Sequence, residues 1–89
     1  MSSQPTELIE FPCVFPLKIM GAQHPDFEQE VLKTIQKNAP TTQASDITIR
    51  PSSKGNYLGA TAQVRVESKE QLDNIYRSLT SHPMVKVVL

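Results

Sequence analysis

Residues 47–66 read ITIRPSSKGNYLGATAQVRV. The second half alternates without a break. Leu58, Ala60, Ala62, Val64 and Val66 fall on one side; Tyr57, Gly59, Thr61, Gln63 and Arg65 fall on the other. Period-two alternation of this length marks a half-buried strand. The first half is a shorter strand, with Ile47 and Ile49 inward and Thr48 and Arg50 outward. The polar run RPSSKGN (50–56) separates them. Pro51 presets φ, and Gly55 and Asn56 tolerate positive φ, so the run reads as a hairpin connection.

The pattern extends in both directions from this hairpin. Upstream, Cys13, Phe15, Leu17 and Ile19 alternate with Val14, Pro16, Lys18 and Met20, and Gly21 ends a first strand. Pro16 lacks an N–H, so its side of that strand has to be unpaired or bulged. Pro25 suits the first position of a helix, with Asp26 and Glu28 in its positive first turn. Phe27, Val31 and Ile35 form its apolar stripe, widened by Leu32, and Pro40 stops it. Downstream, Ser68 with Gln71 forms a capping-box pattern. Leu72, Ile75, Tyr76 and Leu79 supply the stripe of a second helix, and Pro83 ends it. The closing MVKVVL is a fourth strand, expected to turn Val85, Val87 and Leu89 inward. Residues 1–10 are polar and expected to be a flexible tail, leaving 11–89 as one domain.

The order is β-α-β-β-α-β. Two one-sided helices and four strands are accommodated by an α+β ferredoxin-like sandwich: a four-stranded antiparallel sheet, order 4-1-3-2, with both helices on one face. Three polar loops then meet at one end, carrying Gly21, His24, Arg50, Ser52, Ser53, Lys54 and Asn56. These residues are the candidate ligand site, beside the N–H groups that open the first helix. His24 and His82 each precede a proline at a helix boundary and read best as caps or bystanders. The open face of the sheet is the second candidate, with Lys18, Arg65 and Lys86 as partner-binding residues. The edges of the second and fourth strands are open, which favours homodimerisation.

Composition narrows the chemistry. The 89 residues carry nine Lys and Arg against nine Asp and Glu, whereas phosphate-binding surfaces usually bring a basic excess. Nucleic acid is therefore disfavoured. It stays as the alternative reading, through Lys18, Arg50, Lys54, Arg65 and Lys86. Cys13 is the one cysteine, so neither an intrachain disulfide nor a cysteine metal cluster is expected. No leader-like start and no apolar run long enough to span a bilayer stand out, which points to a cytoplasmic protein with no membrane contact.

Motif tests remove several activities. The Ser-Ser-Lys-Gly run lies between two strands, not before a helix as in a phosphate-binding P-loop. Lys54-Gly55 begins like an RNA-recognition strand, but Asn56 stands where the first aromatic is needed, and Leu58 and Ala60 offer no stacking surface. The first loop has neither the CxxC of metal-carrying relatives of this fold nor the arginine of acylphosphatase-like enzymes. No spacing suggests a nucleophile and base. No cofactor and no enzyme activity are expected.

The segments FPCVFPLKIMG, IRPSSKGNYLGATAQV and LDNIYRSLTSHPMVKVVL resemble the YbeD-like family of small bacterial proteins of unknown function, over about residues 10–89. The resemblance implies a ferredoxin-like fold similar to ACT domains, which are regulatory modules that bind amino acids and associate between subunits. Gly21 occupies a place comparable to the ACT glycine that lets a ligand approach the backbone. Some YbeD-like proteins are encoded beside lipoate-attachment enzymes, which implies a link to lipoate metabolism. The family carries no established catalytic residues. The resemblance thus implies an ACT-like regulatory or interaction module with a protein partner or a small-molecule effector.

Overall fold

The computed structural model describes residues 10–52 and 55–89. Its elements are β1 (Cys13–Ala22), α1 (Phe27–Gln36), a 3-10 turn (Ala44–Asp46), β2 (Ile47–Pro51), β3 (Tyr57–Val66), α2 (Lys69–Thr80) and β4 (Val85–Val88). The strands form one antiparallel sheet in the order β2-β3-β1-β4. This is the expected 4-1-3-2 order read from the other edge. Most of the segment expected to be a flexible tail, and Ser53 and Lys54 of the hairpin connection, lie outside the described residues.

The helices cover one face because each has one apolar stripe to bury. Phe27, Val31 and Ile35 of α1 and Leu72, Ile75 and Leu79 of α2 join Leu17, Ile19, Ala60, Ala62, Val64 and Val66 of the sheet in one buried cluster. With only ten residues, α1 is too short to hold itself in water, so tertiary packing maintains it. The Ser68 cap is formed: its Oγ accepts the Gln71 N–H at 3.1 Å. Gln71 Oε1 in turn accepts the N–H of Glu67, one residue before the cap, at 2.5 Å. The same side chain donates through Nε2 to the Asn38 carbonyl at 2.7 Å, which ties α2 to the end of α1.

The two central strands pair along their whole length, from Cys13 with Val66 to Ala22 with Tyr57. Their neighbours are shorter. β2 reaches from Pro51 with Leu58 to Ile47 with Ala62. β4 reaches from Gly21 with Val85 to Ile19 with Val88, extended by Lys18 N–H to the Leu89 carbonyl at 3.2 Å and Leu89 N–H to the Lys18 carbonyl at 2.7 Å. Both flanking strands therefore border only the half of the central pair nearest the hairpin loop. Lys18 directs its polar backbone groups towards β4, so Pro16, two positions earlier, faces the same side beyond the last of these bonds. Its missing N–H costs no ladder bond there, as expected from sequence.

Three details depart from expectation. The ladder shifts between Met20 and Gly21, so that Lys86 is an extra residue in β4. This bulge reverses the alternation after Val85. Val85 and Val88 pack on the core, while Val87 and Leu89 are exposed, in place of the expected inward Val85, Val87 and Leu89. Second, α1 begins at Phe27 and not at Pro25. Pro25 and Asp26 form a turn closed by the Phe27 N–H on the His24 carbonyl at 3.1 Å. Third, in the hairpin Gly55 has φ of 73° and Asn56 does not adopt positive φ.

Candidate functional site

The loop end is held together by backbone chemistry. Ser52 organises the hairpin: its Oγ accepts the N–H groups of Asn56 and Tyr57, each at 3.1 Å, and its carbonyl accepts the Gly55 N–H at 2.9 Å. Gln23 Nε2 donates to the Gly55 carbonyl at 3.2 Å and joins the first loop to the hairpin. His24 Nδ1 accepts the Asp26 N–H at 3.0 Å, and His82 Nδ1 accepts the Met84 N–H at 3.0 Å. Both histidines are thus local caps. His82 also uses its other nitrogen: with Nδ1 accepting, Nε2 carries the hydrogen and donates to Glu30 Oε1 at 3.2 Å. That link lowers the Glu30 carboxyl below its ordinary value. The His82 hydrogen bond is the largest cause and Lys33 assists, against a smaller opposing effect of burial. Nothing in the spacing of Glu30 and His82 announces this pair.

The structure distributes the candidate ligand residues over different surroundings. Gly21 is buried where the Met84 carbonyl and the Phe27 ring occupy the space a side chain would need, so packing alone calls for glycine. His24 lines a depression of about 280 Å³ with Gln23, Pro25, Glu28, Ile49 and Leu58, on the helix side of the hairpin. Arg50 and Ser52 line a different depression, of about 250 Å³, on the open sheet face. Asn56 is exposed at the hairpin. Ser53 and Lys54 lie outside the described residues.

Strand register builds the open face. One row runs Thr48, Thr61, Lys18, Leu89; the next runs Arg50, Gly59, Met20, Val87. Gln63 pairs with Pro16 and Arg65 with Val14. Among the described residues, the exposed large hydrophobic ones are Val14, Met20, Tyr57, Val87 and Leu89, and every one occupies an outward position on this face. Among the described residues, no outward position within the strands carries an acid. Arg65 bonds Glu67, which follows the strand, at 3.1 Å. Lys18 and Arg50 make no ion pair among the described residues. Lys86 stands at the β4 bulge, at the sheet edge opposite Arg50, and is exposed. Of the candidate partner-binding residues, Lys18 and Arg65 therefore lie on this face, joined by Arg50 from the candidate ligand set. From the sequence, Gly59 is outward but is given no part in a site, and Val87 and Leu89 are turned inward. A glycine at an outward position inside a regular strand was the available signal for the first.

Four antiparallel strands with two helices on one face and a polar, partly apolar open face define a small α+β protein of ferredoxin-like architecture. The chain belongs to the protein family of unknown function DUF493, whose model matches residues 6–89. The resemblance to YbeD-like proteins is borne out. A UPF0250 protein of Neisseria gonorrhoeae is 73% identical over 84 residues, covering 94% of this chain and 92% of the relative. A UPF0250 protein of Paraburkholderia phytofirmans is 54% identical over 89 residues, the whole of both chains. In fold, the chain matches the solution structure of protein HP0495 from H. pylori with a TM-score of 0.64 and 14% identity, covering 100% of this chain and 98% of the other. Among the described residues, no helix is long and apolar enough to cross a membrane.

Proposed function

We propose that this chain is a non-enzymatic, ACT-like interaction module that docks a protein partner across the open face of its sheet. One observation carries the reading: among the described residues, the exposed large hydrophobic ones, Val14, Met20, Tyr57, Val87 and Leu89, all lie on that face. Scattered exposed apolar residues need no explanation, but their collection on one uncovered surface marks an interaction site. The nucleic-acid alternative finds one aromatic platform on the face, Tyr57, where base stacking calls for several.

The test compares the wild-type chain with Met20→Asp, Val87→Asp and Glu70→Lys as baits in affinity capture from cell extract. Met20 and Val87 are exposed on the open face, while Glu70 is exposed at the start of α2. The expected result is a protein retained by the wild type and by Glu70→Lys but lost from both sheet-face variants. Retention by all three variants sinks the reading. Salt-dependent capture of single-stranded RNA, lost in the Arg50→Ala chain, replaces it with the nucleic-acid alternative.

A further inference from the structure

The row Arg50, Gly59, Met20 lacks a side chain at its middle position. A Cβ on Gly59 would meet a single neighbour within 4 Å, the Arg50 carbonyl oxygen at 3.5 Å. The space above it is open, and the depression of about 250 Å³ lies here. Lys18 and Arg50 flank the notch from the strands on either side of β3. With strands roughly 4.8 Å apart, their backbones stand about 10 Å from each other, so two long side chains can converge above β3. Neither has a carboxylate partner among the described residues. Met20 and Leu89 supply an apolar wall.

We propose that this notch seats a carboxylate side chain carried on an otherwise apolar segment of a protein partner, with Arg50 and Lys18 as its charge partners. The proposal rests on the docking reading above and adds the chemistry of the partner. Arg50 can hold a carboxylate through two parallel N–H bonds, and Lys18 adds a point charge. A second copy presenting the same face would bring Lys18 and Arg50 against like charges, so the complementary surface is acidic and not this one. Gly59 is the specificity-determining residue, because any side chain there fills the seat.

The test uses labelled twelve-residue peptides in which three Glu, three Gln or three Lys are interspersed among Leu, Ala and Ser. Binding is followed by amide NMR shifts and by fluorescence anisotropy. The Glu peptide is expected to shift Lys18, Arg50, Gly59 and Thr61, and to bind about tenfold more tightly than the Gln peptide. Arg50→Gln and Lys18→Gln each erase most of that difference. Gly59→Val abolishes the shifts while the protein keeps its melting temperature, since valine suits a strand and the added carbons enter open space. Equal binding of the Glu and Gln peptides overturns the proposal, as does failure of the Glu peptide to shift these four amides. Shifts confined to the groove lined by Lys37 and Arg77 overturn it too. If the Gln peptide shifts the same face as strongly as the Glu peptide, docking survives and the carboxylate seat falls. If the Glu peptide seats as described but capture is insensitive to Met20→Asp and Val87→Asp, the seat stands and the wider docking reading falls.

Discussion

At the scale of single residues, two positions show how packing and polarity are settled separately. Gly21 sits where β1 ends, with the Met84 carbonyl and the Phe27 ring over its α-carbon. A backbone carbonyl held in a ladder cannot yield as a flexible side chain would. Gly21→Ala is therefore expected to destabilise by about 3 kcal/mol, the upper range for overpacking a filled core, and chemical denaturation measures it. Thr42 behaves oppositely. It is buried, and its Oγ1 has no protein hydrogen-bond partner among the described residues. A buried hydroxyl without a partner has lost its water and gained nothing in return. Thr42→Val keeps the shape and removes the unpaired group, so it should stabilise by about 1 kcal/mol, seen as a higher denaturation midpoint at unchanged slope.

At the scale of elements, β4 offers the sharpest test of the bulge. If Lys86 is the extra residue, Val88 faces the core and Val87 faces solvent. Val88→Asp is then expected to cost more than about 2 kcal/mol by pressing a carboxylate against the core, whereas Val87→Asp stays within about 1 kcal/mol. Comparable losses in the two variants would contradict the register. The contact between α1 and the loop before β4 has a pH signature. The Glu30 carboxyl is held below its ordinary value of 4.5, first by the His82 hydrogen bond. A carboxyl depressed on folding adds stability above its unfolded value, and that stability is lost as pH falls through the folded one. Acid unfolding followed below about pH 4.5 should therefore be shallower in Glu30→Gln than in the wild type. An unchanged acid limb would mean that the pair contributes nothing in solution.

At the scale of the whole molecule, the elements and their order were legible because each has its own period. The stretch from Tyr57 to Val66 alternates strictly, and the Phe27, Val31, Ile35 stripe repeats with the helical turn. The phase of β4 was not legible. In VKVVL almost every position is apolar, so either side could turn inward, and a bulge leaves no mark of its own in composition. The loop end was legible as a meeting place of polar segments, since topology alone brings them together. The outward side of Arg50 was legible from the alternation of β2, but the placing of His24 in a separate depression on the helix side was not, because that depends on how the loops pack. The notch shows the same limit. Gly59 was visible as an outward glycine, but its place between Arg50 and Met20 exists only once three strands are aligned.

The position of β1 between β3 and β4 also sets an order in time. Ala22 pairs with Tyr57 and Ile19 with Val88, so β1 meets its neighbours only after the long stretch of chain between them has followed. Contacts this distant in sequence place folding in the slower range for small mixed α and β domains. Until β3 emerges, Phe15, Leu17 and Ile19 have only the α1 stripe to cover them. The interval in which β1 is most exposed to the wrong company thus lasts from its own synthesis until β4 joins the sheet.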